Sequence, residues 1–322
     1  MSALPAPRIT EQRPRRWGAW LQRPSVRLAA ATAVAAMAAV ALPPAAIAAT
    51  GDAAPPLQPG TRQALRIVTL APHATELVYA AGGGDFLVGT VSSSDFPDAA
   101  RALPRVGDGI LLNQERLILL EPTHILAWRR FGAAVPAEAL ADTLGAHMVY
   151  LAPHTLRDIP AAIRRLGTFL GTQTRAGPAA GTLERRIEAL ERRYSERAPV
   201  TVFIEAGHLP LYTIGNDPLL NDALRICGAV NIYGQSAIAA PRVPVESVLV
   251  HDPQLLVAPA HEAHAALQIR HRWAKYGLQA AQRGHVHIAD PDALFRPGPR
   301  LVDATEALCA AIDAARTGAG LK

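Results

Sequence analysis

Five histidines lie between positions 261 and 287, where their side chains could hold a metal ion. Residues 261–264 read His-Glu-Ala-His, one residue short of the His-Glu-x-x-His pattern that places two zinc-binding histidines on one helix face. Further histidines follow at positions 271, 285 and 287, and the last two share one face of a predicted strand. The shortened spacing favours scattered surface histidines, and a secreted zinc hydrolase is the less favoured alternative.

The sequence lacks other patterns that commonly carry catalysis or nucleotide binding. It contains no Gly-x-Ser-x-Gly, no phosphate-binding loop and no Cys-x-x-Cys. Gly82–Gly84 follows a predicted helix, whereas a dinucleotide-binding glycine loop lies between a strand and a helix, so these glycines are interpreted as a helix end. We therefore expect a protein that is not an enzyme and that needs neither a cofactor nor a bound metal.

The first 48 residues have the layout of a secretory signal peptide, and residues 49–63 are interpreted as a tether. Residues 15–27 are basic, residues 28–42 are apolar, and residues 46–49 offer small side chains for cleavage. The apolar run is shorter than the roughly 20 residues that span a bilayer core. We therefore expect a cleaved leader and a periplasmic mature protein.

The leader also accounts for the basic charge of the chain. The chain has 32 Lys and Arg against 27 Asp and Glu, a net charge of +5. Six arginines and one acid lie within residues 1–48, which leaves 26 basic and 26 acidic residues in the remainder. A balanced mature chain gives no electrostatic reason to bind nucleic acid.

Two cysteines, Cys227 and Cys309, lie in the part of the chain predicted to be exported. An even number of cysteines in an oxidising compartment favours a disulfide over two buried free thiols. Such a bond would close a loop of about 80 residues, for which the chain-entropy model gives about 3–5 kcal/mol.

Beyond Ala64, short apolar runs alternate with helical patterns, which is typical of a parallel sheet with helices on its faces. Strands are predicted at 66–70, 87–91, 124–127, 148–151, 200–204, 255–258 and 286–289. Helices are predicted from Pro72 and at 159–170, 219–227, 245–250 and 299–316. The fold class is therefore α/β.

A longer amphipathic segment divides this alternation into two halves. Within residues 181–197, apolar side chains recur at helical spacing between charged ones. We interpret residues 176–198 as one helix between an N-terminal lobe (64–175) and a C-terminal lobe (199–322). Two Rossmann-like lobes with parallel sheets, joined by a rigid helix, form a cleft in which a ligand is expected to bind.

Four segments carry a resemblance to a known family: residues 66–82, 92–108, 113–129 and 298–316. They resemble the periplasmic substrate-binding proteins of the helical-backbone class (class III), which supply ABC importers with cobalamin, haem, iron–siderophores and some metals. The resemblance covers residues 64–316 and is greatest to the cobalamin-binding branch. It implies a corrinoid ligand and, as partner, an ABC permease dimer with its ATPase.

The resemblance also assigns roles to four residues outside the cleft. Glu115 and Glu246 match the glutamates with which the two lobes of family members dock on permease arginines. Arginine–carboxylate pairing is directional, so such contacts would set the register of docking. Cys227 and Cys309 match the two cysteines of a disulfide within the C-terminal lobe.

Four further residues match ligand-contacting positions of the cobalamin-binding pattern. Trp128 and Tyr212 match cleft aromatics, whose flat faces can cover a corrin or a porphyrin. Asp292 and Arg296 match an acidic and a basic cleft residue, which can hydrogen-bond amides or carboxylates.

Haem or a ferric siderophore on the same fold is the alternative ligand, because three aromatics of the cobalamin pattern are replaced. The replacing residues are Ser93, Gly109 and Ala240. Haem binders of the class place an iron-ligating tyrosine where this chain has Phe96, which has no oxygen to offer. His73, at a strand-to-helix turn, and His208, its counterpart in the second lobe, are predicted to contact the ligand.

Overall fold

The computed structural model describes residues 65–318. The predicted signal peptide (1–48) and tether (49–63) lie outside the described residues. Among those described, no helix combines the length and the apolar composition that crossing a membrane requires. The first half of the fold contains β1 (Ile67–Thr69), α1 (Pro72–Ala80), β2 (Leu87–Gly89), α2 (Gln114–Leu119), β3 (His124–Ala127), α3 (Ala134–Leu144), β4 (His147–Tyr150) and α4 (Asp158–Leu170).

Four parallel strands form the first sheet, in the order β2-β1-β3-β4. Every residue of β1 and β3 is buried, as expected of central strands covered on both faces. The carboxyl ends of parallel strands lie at one edge of the sheet. The loops that follow β1 to β4 therefore emerge side by side at that edge.

A long helix, α5 (Gln173–Tyr194), leads from the first half into the second. Its buried side chains recur every three or four positions and are Ala176, Ala180, Leu183, Ile187, Leu190 and Tyr194. Ion pairs join it to both halves, from Glu184 to Arg164 of α4 at 2.6 Å and from Arg186 to Glu306 at 2.7 Å. The predicted bounds were 176–198, so the helix begins three residues earlier and ends four residues earlier than predicted, and Pro178 lies in its second turn.

The second half repeats the strand order of the first. Its elements are β5 (Val200–His208), β6 (Leu211–Thr213), α6 (Pro218–Ile226), β7 (Ala229–Asn231), α7 (Val245–His251), β8 (Leu255–Pro259), α8 (Ala263–Tyr276), α9 (Gln279–Gln282), β9 (Val286–Ala289), α10 (Pro291–Leu294) and α11 (Arg300–Gly318). Its parallel strands follow the order β7-β5-β8-β9, and β6 pairs antiparallel with the end of β5.

The predicted α/β fold with two parallel sheets is confirmed, and the strands at 124–127 and 286–289 have the predicted bounds. The structure adds β6 and β7, which have only three residues each, and five helices that the sequence did not reveal, α2, α3, α8, α9 and α10. Only Ile269 and Trp273 of α8 are buried, so this helix lacks the continuous apolar stripe that identifies one in sequence.

A continuous apolar core runs through both halves and includes buried residues of α5. Two smaller clusters pack against the opposite faces of the two sheets. Cys227, directly after α6, and Cys309, within α11, form the predicted disulfide and are both fully buried. This bond fixes the last helix to the second half of the fold.

Candidate functional site

Charged side chains join the carboxyl edges of the two sheets. Arg296, which lies between α10 and α11, donates a hydrogen bond of 2.6 Å to Asp95 in the loop after β2. Arg300, the first residue of α11, donates to both carboxylate oxygens of Glu76 in α1, at 2.6 and 3.2 Å. Because each pair joins one half of the fold to the other, the two edges face each other across a cleft with a charged floor.

Three carboxylates surround Arg296 on this floor. Besides Asp95, it donates to Asp292 of α10 and lies 3.8 Å from the buried carboxylate of Glu76. Burial raises the pKa of Glu76, an effect that the hydrogen bond from Arg300 opposes. Burial acts in the same direction on Asp95, but the hydrogen bond and charge of Arg296 outweigh it and lower the pKa of that carboxyl. The floor is therefore a compensated ion network that spans both halves.

Exposed apolar side chains line the rim above this floor. All but one lie in loops that follow strands: Phe96, Ile110 and Leu111 after β2, Trp128 and Phe131 after β3, Leu209 after β5, and Ile238 after β7, while Tyr212 lies in β6. Soluble proteins rarely expose large apolar side chains in such a concentration unless the surface binds something. A charged floor beneath an apolar rim suits a large ligand with flat apolar faces and polar edges.

Trp128 has the best-defined surroundings of the rim aromatics. Its side chain is 40% exposed, and the guanidinium of Arg129 lies 4.9 Å from the ring centre. The imidazole of His73 meets the same ring edge-to-face, with 6.1 Å between centroids. The indole is therefore held in place while one part of it stays open to the cleft.

His73 lies at the strand-to-helix turn where the sequence placed it, but its side chain is buried. Its Nε2 forms a 2.9 Å hydrogen bond with the backbone carbonyl oxygen of Leu151. Burial lowers the pKa of His73 to about 4, and the hydrogen bond to Leu151 opposes that change. A neutral His73 thus packs against Trp128. Its imidazole is buried and is not exposed to the cleft.

Acid is expected to destabilise the fold through His73. As the pH falls below 6.5, the unfolded chain takes up a proton that the folded chain accepts only near pH 4. The free energy of unfolding should decrease across that window by about 3 kcal/mol from this residue. Urea unfolding at pH 7.5, 5.5 and 4.5 measures the slope, which His73→Gln should flatten. The exposed control His208→Gln should retain the wild-type slope, and equal slopes in both variants would contradict the assignment.

The other predicted ligand residues lie on the second half of the cleft. His208 ends β5 and is exposed, and Tyr212 lies opposite Gly207 in the β5–β6 hairpin with 41% of its side chain exposed. Asp292 and Arg296 belong to the floor network and bind each other. Arg296 is thus engaged by the protein's own carboxylates.

The histidines considered for zinc are dispersed. Within residues 65–318, one group has metal-ligand spacing, formed by His261, Asp290 and Asp292. His264 and His271 lie on α8 and do not belong to it, and Asp292 is already bound to Arg296. The five histidines from 261 to 287 therefore do not assemble a common zinc centre.

Glu115 and Glu246 occupy equivalent positions outside the cleft. Each is the second residue of a short helix, α2 or α7, that immediately precedes the third parallel strand of its lobe, β3 or β8. Both side chains are exposed, and neither forms an ion pair with any residue in the described part of the chain.

Sequence reasoning missed three members of the floor network, Glu76, Asp95 and Arg300. A local signal existed for Glu76, because α1 is otherwise apolar around it and a lone acid on a buried helix face requires a partner. Asp95 and Arg300 have no such signal, since their partners are 201 and 224 residues away along the chain.

Two α/β lobes that enclose a ligand cleft and are joined by one helix define a substrate-binding protein. The family model described as "periplasmic binding protein" matches residues 67–293, and the chain belongs to that family. This is a family of binding proteins, not of enzymes, so the zinc-hydrolase alternative is abandoned.

Individual relatives are similar over most of their length. A vitamin B12-binding protein of Photorhabdus laumondii is 34% identical over 245 residues, which cover 76% of this chain and 86% of the relative. The crystal structure of the periplasmic vitamin B12-binding protein of Vibrio cholerae has a TM-score of 0.71 and 32% identity, covering 78% of this chain and 97% of that one. A periplasmic haem-binding protein of Roseiflexus sp. RS-1 has a TM-score of 0.67 and 22% identity, covering 79% and 99%, and shares the fold.

Proposed function

We propose that this protein is a periplasmic receptor that binds a corrinoid in its cleft and delivers it to an ABC importer. The observation that carries the proposal is the similarity, above 30% identity and over most of both chains, to proteins named for vitamin B12 binding. Export by a cleaved signal peptide at residues 1–48 completes the proposal, since a receptor of this kind must reach the periplasm.

The cleft suits such a ligand in two respects. Trp128 and Tyr212 offer partly exposed aromatic faces from opposite lobes, between which a flat macrocycle can be held. Ile110, Leu111 and Ile238 lie close in sequence to two of the replaced aromatic positions, Gly109 and Ala240. Aliphatic side chains there supply apolar contact area in place of stacking.

Haem is the second candidate, and two features of the cleft disfavour it. Phe96 offers no oxygen to iron, and the guanidinium of Arg300 covers its ring at 4.6 Å from the centre. The Nε2 of His73 is occupied by the carbonyl of Leu151. His208 is exposed, and it is the remaining predicted axial ligand from the cleft.

Delivery requires recognition of a membrane partner. We assign this role to Glu115 and Glu246, which face solvent from equivalent helices of the two lobes. Each would pair with an arginine on one of two permease subunits, and ATP hydrolysis would be supplied by the ATPase of the importer.

Isothermal titration of the chain from Thr50 onward tests the ligand, with cyanocobalamin, cobinamide and haem as separate titrants. We expect one-to-one binding of cyanocobalamin at micromolar concentration or below, and weaker or no binding of haem. Absence of heat and of a thermal shift with both corrinoids would reject the proposal. A Soret band on haem addition that disappears in His208→Ala would favour the second candidate.

Removal of either cleft aromatic is expected to weaken corrinoid binding about tenfold, because each ring loses its contact with the macrocycle. Trp128→Ala and Tyr212→Ala should behave alike, since the rings lie on opposite lobes. Tyr276→Ala is the matched control, because Tyr276 is similarly exposed but belongs to α8. Wild-type affinity in both cleft variants would show that the ligand does not lie between these rings.

A further inference from the structure

The two lobes carry the same short sequence pattern at the same place in the fold. Residues 115–122 read Glu-Arg-Leu-Ile-Leu-Leu-Glu-Pro, and residues 246–253 read Glu-Ser-Val-Leu-Val-His-Asp-Pro. Each segment begins at the second residue of the helix before the third parallel strand of its lobe and ends on a proline. Because both sheets have the same parallel strand order, these two matched segments are topologically equivalent.

Each matched segment exposes a large apolar side chain a helical turn after its glutamate, and Ile118 of the first segment is also exposed, at 44%. Leu119 is 76% exposed and Val250 is 84% exposed, whereas Leu117 and Val248, two positions earlier, are fully buried. Residues four apart lie on the same helix face, so each apolar side chain is a neighbour of its glutamate. A single exposed leucine needs no explanation, but the same exposure at equivalent positions of both lobes does.

In each matched segment, the acidic residue before the final proline has an unfavourable conformation. Glu121 and Asp252 have φ angles of 42° and 40°, and within residues 65–318 they are the only residues other than glycine with positive φ. Glycine or asparagine is preferred at such a helix end, and a carboxylate there opposes the helix dipole. Strain of this kind at an exposed position is characteristic of a functional site.

Neither acid is explained by contacts within the described part of the chain. Glu121 and Asp252 are both exposed, and neither forms an ion pair there. The guanidinium of Arg66 approaches the first segment, but it donates to the backbone carbonyls of Leu120 and Glu121 and not to the carboxylate. Stability of the fold therefore gives no reason for an acid at either position.

We propose that each matched segment is a three-point docking patch, in which an apolar side chain lies between two carboxylates. Leu119 with Glu115 and Glu121 forms one patch, and Val250 with Glu246 and Asp252 forms the other. This inference rests on the proposed function and adds four residues to the two glutamates assigned there. Two equivalent patches on one chain fit two identical membrane subunits, each offering an apolar pocket flanked by basic side chains.

Binding to the ABC importer of the same organism, reconstituted in nanodiscs, tests the proposal. The paired variants Leu119→Ser with Val250→Ser, and Glu121→Gly with Asp252→Gly, are each expected to weaken docking at least tenfold. Cyanocobalamin titration should be unchanged in both. The melting temperature of the glycine pair should equal or exceed that of the wild type, because glycine accepts positive φ without strain. A role confined to the fold would lower the melting temperature instead.

The controls separate this inference from the proposed function. Leu267→Ser removes a similarly exposed apolar side chain from α8 and should dock as the wild type. If Glu115→Ala with Glu246→Ala weakens docking while both new pairs dock normally, the glutamates act alone and this inference is overturned. If the wild-type chain does not bind the importer at all, the proposed function fails with it.

Discussion

Replacement of Glu76 by leucine is expected to destabilise the protein by about 3–5 kcal/mol, because it leaves Arg300 without its principal carboxylate in a largely buried site. The carboxylate of Glu76 is almost fully buried, and it accepts both hydrogen bonds that Arg300 donates to acidic groups. Asp95, at 4.0 Å, is too distant to replace it. Urea unfolding at pH 7 gives the difference in the free energy of unfolding between Glu76→Leu and the wild type.

The double variant Glu76→Leu with Arg300→Met distinguishes a lost ion pair from lost packing. Removal of both charges also removes the cost of burying them, so most of the stability should return. The exposed pair Arg101–Asp98 provides a control, and Asp98→Ala should change stability by less than 1 kcal/mol. If the free energy of unfolding of Glu76→Leu is within 1 kcal/mol of the wild type, the floor network does not hold the lobes together.

The same network fixes Arg296 on the floor of the cleft. Asp95, Asp292 and Glu76 hold its guanidinium from both lobes. The guanidinium is therefore fixed in direction, and under the proposed function little ordering would be needed for it to bind a ligand amide. Through this arginine the floor connects the stability of the fold with the geometry of the two lobes.

The general fold could be predicted from the sequence because its signals are local. Short apolar runs separated by helical patterns determine a parallel α/β sheet, and the strand at 124–127 is a direct example. The helix between the lobes, predicted over 176–198, is observed at Gln173–Tyr194, and packing of Ala176 and Ala180 maintains it around Gly177 and Pro178. Tertiary contacts therefore outweigh the low helix propensity of these two residues.

The sequence identified cleft residues by type, and their roles as ligand contacts stay predictions. Trp128 follows β3 and Tyr212 lies in β6, and both are partly exposed. His73 is at the predicted turn, but its environment depends on Leu151, 78 residues away. Asp95, a partner of Arg296, is likewise distant, at 201 residues. Such a pairing produces no periodic pattern in the sequence from which it could be predicted.

Removal of the disulfide is the second large effect expected. Cys227 and Cys309 are 82 residues apart, and closing a loop of that length contributes about 4.5 kcal/mol in the chain-entropy model. Cys227→Ala with Cys309→Ala should lose about 2–4.5 kcal/mol of the free energy of unfolding. Alanine avoids placing an unsatisfied hydroxyl in this fully buried site. Denaturant unfolding of this variant, and of the wild type with and without reductant, measures the loss.

The loss of stability should affect the unfolding of the whole fold and should not detach α11 alone, because α11 keeps other contacts when the disulfide is absent. The guanidinium of Arg316 donates to the backbone carbonyls of Ala198, Cys227 and Gly228, and Thr305 and Ile312 of α11 are fully buried. These contacts should keep the helix docked in the native state, so the alanine variant should bind cyanocobalamin as the wild type does. If the alanine variant is within 1 kcal/mol of the wild type in stability, removal of the disulfide adds little conformational entropy to the unfolded chain. If the alanine variant is fully folded but binds cyanocobalamin more weakly, the disulfide also determines the geometry of the cleft.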